Sequence, residues 1–236
     1  MTELIFDGKS TQDFGVWISG TGTWGSPERD VTHISIPGRD GDLTIDNKRF
    51  QNISVVYPAF IAKGFRDRFD DFRAYMVSRP GYHRLEDSYH PDEYRMAEFY
   101  QALEPEVGTL NRFGSFDLEF YCKPQRWLKS GEKVTAETTF ASSGQVFNPT
   151  LFSSKPLLRV YGTGSVKIGS ETLTIINADV YTDIDCDLMD AFKGSTNCNG
   201  NIRLSSGSFP VLKPGYTGIT LNGVTKVEIT PKWFTI

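Results

Sequence analysis

The chain has 236 residues and a mass of 26.5 kDa, enough for one large β domain or two ordinary ones. A net charge of -4 and a pI near 5.5 exclude a free-standing nucleic-acid grip, which needs a basic field to displace counterions from phosphate. Hydrophobic residues at 39% and charged ones at 23% exclude disorder, while 13% aromatics, 22 Gly and 12 Pro point to strands broken by turns. No run of about 18 apolar residues occurs, so no membrane-spanning helix is expected. The acidic opening, MTELIFDGKSTQDFG, does not read as a signal peptide. Cys122, Cys186 and Cys198 are odd in number and far apart, unlike a disulfide scaffold. They suit apolar fillers in a reducing cytoplasm, although Cys186 and Cys198 could still meet in space.

In chain order, residues 14–19 begin with a short strand. Residues 31–36 alternate, with Val31, His33 and Ser35 on one face and Thr32, Ile34 and Ile36 on the other. Pro37-Gly38-Arg39-Asp40-Gly41-Asp42 then leads to the run LTIDN, and Asp-Gly between two such runs predicts a hairpin. A third strand over residues 53–60 turns Ile53, Val55, Tyr57 and Ala59 to one side. Phe65, Phe69, Phe72 and Met76 follow at helical spacing, with charged residues opposite and Arg79-Pro80-Gly81 as the stop. This phenylalanine stripe is expected to pack on a sheet. Strands are predicted over residues 94–104 and 114–123, the latter with Phe116, Leu118 and Phe120 inward.

A boundary is expected near residue 130. Residues 1–130 hold 16 Lys+Arg against 20 Asp+Glu, and the remainder 9 against 9, so the whole -4 lies in the first part. The Ser130-Gly131 break and the Thr/Ser-rich stretch 138–143 mark the join. Beyond it, strands are predicted at 157–161, 165–168, 172–176, 180–188, 218–221 and 225–230. Asn222-Gly223 between the last two is a hairpin signal, and the pattern is that of a β-sandwich without a helix.

Four motifs are set aside on chemical grounds. Gly20-Thr-Gly22-Thr-Trp-Gly25 spells the dinucleotide fingerprint, but the next strand starts too soon for the helix that must receive a pyrophosphate. His83, Glu86, Asp87, His90, Asp92 and Glu93 carry metal-ligand atoms without a recognised spacing, and read as a solvated loop. Asp183, Asp185 and Asp187 open like a calcium loop, yet Leu188 and Gly194 occupy the positions that require Gly and Glu. Strand alternation accounts for them, with Ile184, Cys186 and Leu188 inward and the acids outward. Neither Cys122 nor His33 has a loop-borne catalytic partner. No catalytic, metal or cofactor residue is assigned, and the hydrolase alternative would need a carboxylate pair that spacing does not reveal.

Four segments in order carry a resemblance: IPGRDGDL (36–43), RPGYHRLEDSYHPDEYRMA (79–97), FDLEFYCKPQRW (116–127), and FPVLKPGYTGITLNG with VEITPKWFTI (209–236). Together they resemble the distal tail proteins of long-tailed, non-contractile bacteriophages. The resemblance implies a mainly β chain with one short α-helix: an N-terminal ring-forming domain, residues 1–130, and a C-terminal galectin-like β-sandwich, residues 131–236. It implies a structural virion protein, not an enzyme, made in the host cytoplasm and placed at the tail tip. Six copies would form a ring with no cofactor, joining the tail tube protein to the tail-associated or tail-tip protein. Tape-measure and receptor-binding proteins would lie close by, and DNA would pass through the opening. An acidic first domain suits such a conduit if its acids face the lumen. Gly38, Arg39, Asp40, Gly41 and Asp42 form the tip expected to reach a neighbouring subunit or partner, with an ordinary surface hairpin as the other reading. A carbohydrate-binding module is the alternative function. Against it, 106 residues after position 130 leave no room for an inserted sugar-binding module, and Tyr161, Tyr181 and Tyr216 are expected to stand singly.

Overall fold

The computed structural model describes residues 3–20 and 24–236. Its backbone divides into two units, residues 1–126 with Ile236, and residues 127–235. The first contains β1 (Leu4–Phe6), β2 (Lys9–Ser10), β3 (Trp17–Ile18), β4 (Arg29–Ile34), β5 (Leu43–Phe50) and β6 (Ile53–Ile61). Helix α1 (Phe65–Val77) follows, then β7 (His83–Asp87), β8 (Glu93–Glu98), β9 (Glu106–Val107) and β10 (Gly114–Leu128). Seven of these strands make one sheet in the order β2-β1-β7-β8-β10-β6-β3, and β9 pairs with β10.

Helix α1 forms where the phenylalanine stripe predicts it. Phe65, Phe69, Phe72 and Met76 are all buried, and Tyr75 joins them. The stripe meets strand β10: the Phe69 and Phe116 rings lie edge to face at 5.2 Å, and Phe72 is 5.8 Å from Phe116. The Tyr75 hydroxyl donates to the Phe6 carbonyl at 2.7 Å, tying the last helical turn to β1. Inward alternation on β6 (Val55, Tyr57, Ala59) and β10 (Phe116, Leu118, Phe120, Cys122) supplies the opposite wall of the same core.

Three expectations change in this unit. The strand expected from residue 14 is a 3-10 turn, Thr11–Phe14, followed by the two-residue β3. The strand expected over 94–104 stops at Glu98. The segment read as a solvated loop opens as strand β7, paired with β1 on one side and β8 on the other. Its polar residues sit among neighbouring charges: His83 Nδ1 lies 3.2 Å from Asp7, and His90 Nδ1 3.1 Å from Asp87.

The second unit contains β11 (Thr139–Phe140), β12 (Gly144–Asn148), β13 (Leu157–Tyr161), β14 (Gly164–Ile168), β15 (Glu171–Ile175) and β16 (Tyr181–Asp185). Then come β17 (Asp190–Lys193), β18 (Thr196–Asn197), β19 (Ile202–Leu204), β20 (Gly215–Asn222), β21 (Lys226–Thr230) and β22 (Phe234–Thr235). Two sheets, β11-β21-β13-β16-β17-β18 and β12-β20-β14-β15-β19, enclose a core of alternating residues such as Leu158, Val160, Val166, Ile168, Ile219 and Val227. Within this unit the Leu128 N–H donates to the Trp233 carbonyl at 2.9 Å.

Asn222-Gly223 does not close a hairpin. Strand β20 belongs to the five-stranded sheet and β21 to the six-stranded one, so the turn carries the chain from one layer to the other. Local turn chemistry is the same in both cases; burial of Val224 and Val227 between the layers decides the direction. Gly164 makes the crossing possible. Its φ is +146°, and a Cβ there would stand 2.4 Å from the Asn222 carbonyl oxygen.

The strand expected over 180–188 ends at Asp185, and Leu188 is 72% exposed at the following turn. Asp183 and Asp185 are buried rather than outward, because each is covered by a cation. Arg159 grips Asp183 through two bonds of 2.7 and 2.9 Å, and Lys232 bonds Asp185 at 2.9 Å. Burial alone would raise the Asp185 pKa, but Lys232 and the backbone N–H groups of Leu188 and Asp187 outweigh it and hold it low. A lowered folded pKa means that its stabilising effect is complete above the unfolded value of about 4 and is lost as pH falls through the folded value. Thermal unfolding followed from neutral to acid pH is therefore expected to weaken below about pH 4. Asp185→Asn should lower the midpoint at neutral pH and flatten this acid limb; an unchanged acid limb would remove Asp185 from the account.

Candidate functional site

Strands β4 and β5 form a two-stranded ribbon of their own, outside the large sheets. Register pairs Ile34 with Leu43 and Thr32 with Ile45. With a period of two, one face therefore carries Thr32, Ile34, Leu43 and Ile45, and the other Val31, His33, Thr44 and Asp46. The apolar face is bare: Ile34, Leu43 and Ile45 are each more than 40% exposed. A lone hairpin gains little from its own burial, and this apolar stripe is left open for contact.

The five residues singled out from sequence sit at the ribbon's tip, all exposed. Gly38 and Gly41 take φ near +80° and +79°, and no atom lies within 4 Å of a Cβ built on either. Arg39 N–H donates to the Ile36 carbonyl at 3.1 Å and shapes the turn. The base is anchored by Arg29–Asp46 at 2.8 Å and Arg49–Asp30 at 2.5 Å. Asp30 is held below the usual carboxylate range by Asn47 and Arg49, and Asp46 by the Lys48 N–H and Arg29. The stripe Ile34, Leu43 and Ile45 was not singled out from sequence, although the alternation of residues 31–36 already put Ile34 and Ile36 together. Alternation alone does not reveal that the described residues leave them exposed.

A second surface lies on the solvent side of β6 and β10. Inward Phe116, Leu118 and Phe120 leave Asp117 and Glu119 pointing the other way. These two share a cleft of about 590 Å³ with Glu104, Glu106 and Ser115. Four carboxylates on one cleft give a wall that repels polyanions.

The second unit pairs its aromatics. Tyr161 and Tyr181 face each other across β13 and β16 at 5.9 Å, so they do not stand singly. Cations occupy their neighbourhood, with Lys226 4.1 Å from the Tyr161 ring centre and Arg159 4.4 Å from that of Tyr181. Tyr161 also donates to Glu228 at 3.0 Å, and Lys226, then Tyr161, hold that carboxyl low. Tyr216 pairs with Phe147 across β20 and β12 at 4.9 Å, and here the rings are open, 73% and 52% exposed.

The remaining sequence candidates are not brought together. Among the described residues no group of three or more His, Cys, Asp or Glu is placed to hold a metal ion. The three acids of the calcium-like run each face a different cation, Asp187 taking Lys155 at 3.0 Å. All three cysteines are free, and burial pushes the Cys122 and Cys186 thiols up to about 12, far from a nucleophile's range. Part of the Gly20–Gly25 motif, residues 21–23, lies outside the described residues, and the chain passes from Gly25 to β4 without a helix.

No family model and no curated protein sequence matches the chain. Solved structures do. The crystal structure of the Dit (gp 19.1) protein of phage SPP1, described as a paradigm of the hub adsorption apparatus in phages infecting Gram-positive bacteria, aligns over 100% of both chains. Its TM-score is 0.78 at 14% identity. The baseplate of phage p2 in its activated conformation, with Sr and with Ca, aligns over 97% of both chains with a TM-score of 0.54 at 11% identity. The chain therefore has the fold of a phage Dit protein, mainly β with one α-helix.

Proposed function

We propose that the chain is a structural hub of a long, non-contractile phage tail, acting without catalysis or cofactor. The observation that carries this reading is the likeness to SPP1 Dit along the whole of both chains at a TM-score of 0.78. In this reading residues 1–130 form a ring, six copies around, that joins the tail tube to the tail-tip apparatus, and residues 131–236 form its galectin-like sandwich. Two features support it. The β4–β5 ribbon offers an apolar stripe and the Gly38–Asp42 tip to a neighbouring subunit. The carboxylate cleft of Glu104, Glu106, Asp117 and Glu119 suits a lumen wall that lets DNA pass without adhesion.

Native mass spectrometry of the purified chain tests the ring. A closed species six times the 26.5 kDa chain is expected, alone or with the tail tube protein present. A monomer under both conditions would sink the proposal.

A second reading, direct sugar binding by the sandwich, is favoured by one observation: the open Phe147–Tyr216 pair offers a flat aromatic shelf. Under this reading a glycan array finds a ligand, and Tyr216→Ala weakens it by about tenfold, the loss of one stacking contact. Binding unaffected by both Tyr216→Ala and Phe147→Ala would remove the shelf from consideration.

A further inference from the structure

Strand β8 turns alternate residues toward the core, and at one of these positions it places an arginine. Arg95 is 7% exposed, beside fully buried Ala97. Burial, and then the neighbouring Arg126, lower its pKa from the usual arginine value. A buried guanidinium whose N–H groups go unsatisfied is as unfavourable as one that has lost its ion-pair partner.

Around it, four polar atoms have no hydrogen-bond partner among the described residues: Arg95 NH1, Arg126 Nε, Glu93 Oε2 and His90 Nε2. All four residues line one small cavity, together with Tyr57 and Asp87. Asp87 and one end of Arg126 are already engaged. Asp87 accepts from the Tyr57 hydroxyl at 2.7 Å and from His90 N–H at 2.9 Å. Arg126 NH2 reaches the Gly25 carbonyl at 3.5 Å, while its NH1 stands 3.8 Å from Glu93 Oε2, an ion pair too long for a hydrogen bond.

His90 Nδ1 faces the Asp87 carboxylate at 3.1 Å and donates to it, and in the tautomer with its single ring proton there Nε2 presents a lone pair. The four unpartnered atoms are thus two donor nitrogens, both on guanidinium groups, a carboxylate oxygen and, in that tautomer, an accepting ring nitrogen. One water molecule accepts two hydrogen bonds and donates two. The cavity leaves about 10 Å³ for the centre of a water-sized molecule, close to what a single water needs. Two guanidinium charges stand against two carboxylates, so an added ion would upset a balanced site, and a neutral guest does not.

We propose that this cavity is a binding site for one water molecule, which accepts from Arg95 NH1 and Arg126 Nε and donates to Glu93 Oε2 and His90 Nε2. The water is a structural ligand: it lets a charged side chain occupy a core position of β8 and links that strand to the far part of β10. The proposal is independent of the function assigned to the chain.

Crystals of the full chain, with and without a bromide soak, test it. The expected result is one solvent peak at about 2.7–3.2 Å from at least three of the four atoms, with no anomalous bromide signal at the site. A bromide peak there would make it an anion site and overturn the proposal. So would an empty cavity, a direct Arg95–Glu93 hydrogen bond, or a water touching fewer than three of the four atoms.

Discussion

Aspartate at both Ile34 and Ile45 is expected to leave the chain folded and to abolish ring closure. The two side chains project from the same face of the β4–β5 ribbon, 42% and 44% exposed, and take no part in either core. Their replacement should therefore leave the circular dichroism and melting temperature of the isolated chain unchanged. In the assembled state they would be buried, and an unpaired carboxylate in a buried contact costs far more than the lost methyl groups. A loss of about 2–4 kcal/mol per contact, the range of an interface hot spot, corresponds to roughly 30- to 1,000-fold in the association constant at each of the joints. Native mass spectrometry at matched concentration reads the result. Deleting residues 38–41 separates the two parts of the ribbon. Rings that survive both changes would show that the ribbon is an ordinary surface hairpin. Loss on deletion alone would place the contact at the tip.

The largest effect on stability is expected at Gly164. Alanine there must adopt a φ of +146°, a region that residues with a Cβ avoid, and its methyl group would meet the backbone of residues 222–224 at 2.4 to 2.7 Å. No side chain can swing aside, because the obstacles are a carbonyl oxygen and main-chain atoms. The cost should reach about 3 kcal/mol or more, enough to lower the melting of the second unit by roughly 10 °C. Alanine at Gly200 is the control: its Cβ would meet nothing within 4 Å, and no shift is expected. Equal melting of the two variants would show that the sheet-to-sheet turn relaxes freely.

Periodicity made much of this fold legible. The stripe Phe65, Phe69, Phe72 and Met76 located the helix and its buried face, and Phe116, Leu118 and Phe120 gave the inner side of β10. These signals work because one burial pattern fits one secondary structure. The sequence misled where the same local chemistry serves two topologies. Asn222-Gly223 turns the chain in either case, and only packing between layers determines whether the next strand pairs with the last. Asp183 and Asp185 were misplaced for a related reason, while Asp187 is exposed as expected. Alternation separates faces, but it does not reveal that Arg159 and Lys232, distant in sequence, cover Asp183 and Asp185. At the ribbon, the tip was readable from Gly38 and Gly41, whereas the bare stripe of Ile34, Leu43 and Ile45 was not. Exposure depends on what the rest of the chain leaves uncovered.

The crossing at Asn222-Gly223 also sets the order in which the second unit can be made. Strands β20 and β21 are the last long strands of that unit to leave the ribosome, yet each lies inside its sheet, between β12 and β14 and between β11 and β13. Until both are released, β11 and β12 lack the strands they pair with, and each layer is missing its second strand. The sandwich therefore closes late, through long-range pairings that form slowly. A nascent chain stalled just before residue 215 would carry unpaired edges and a bare core, the state in which chaperones and premature aggregation compete for it.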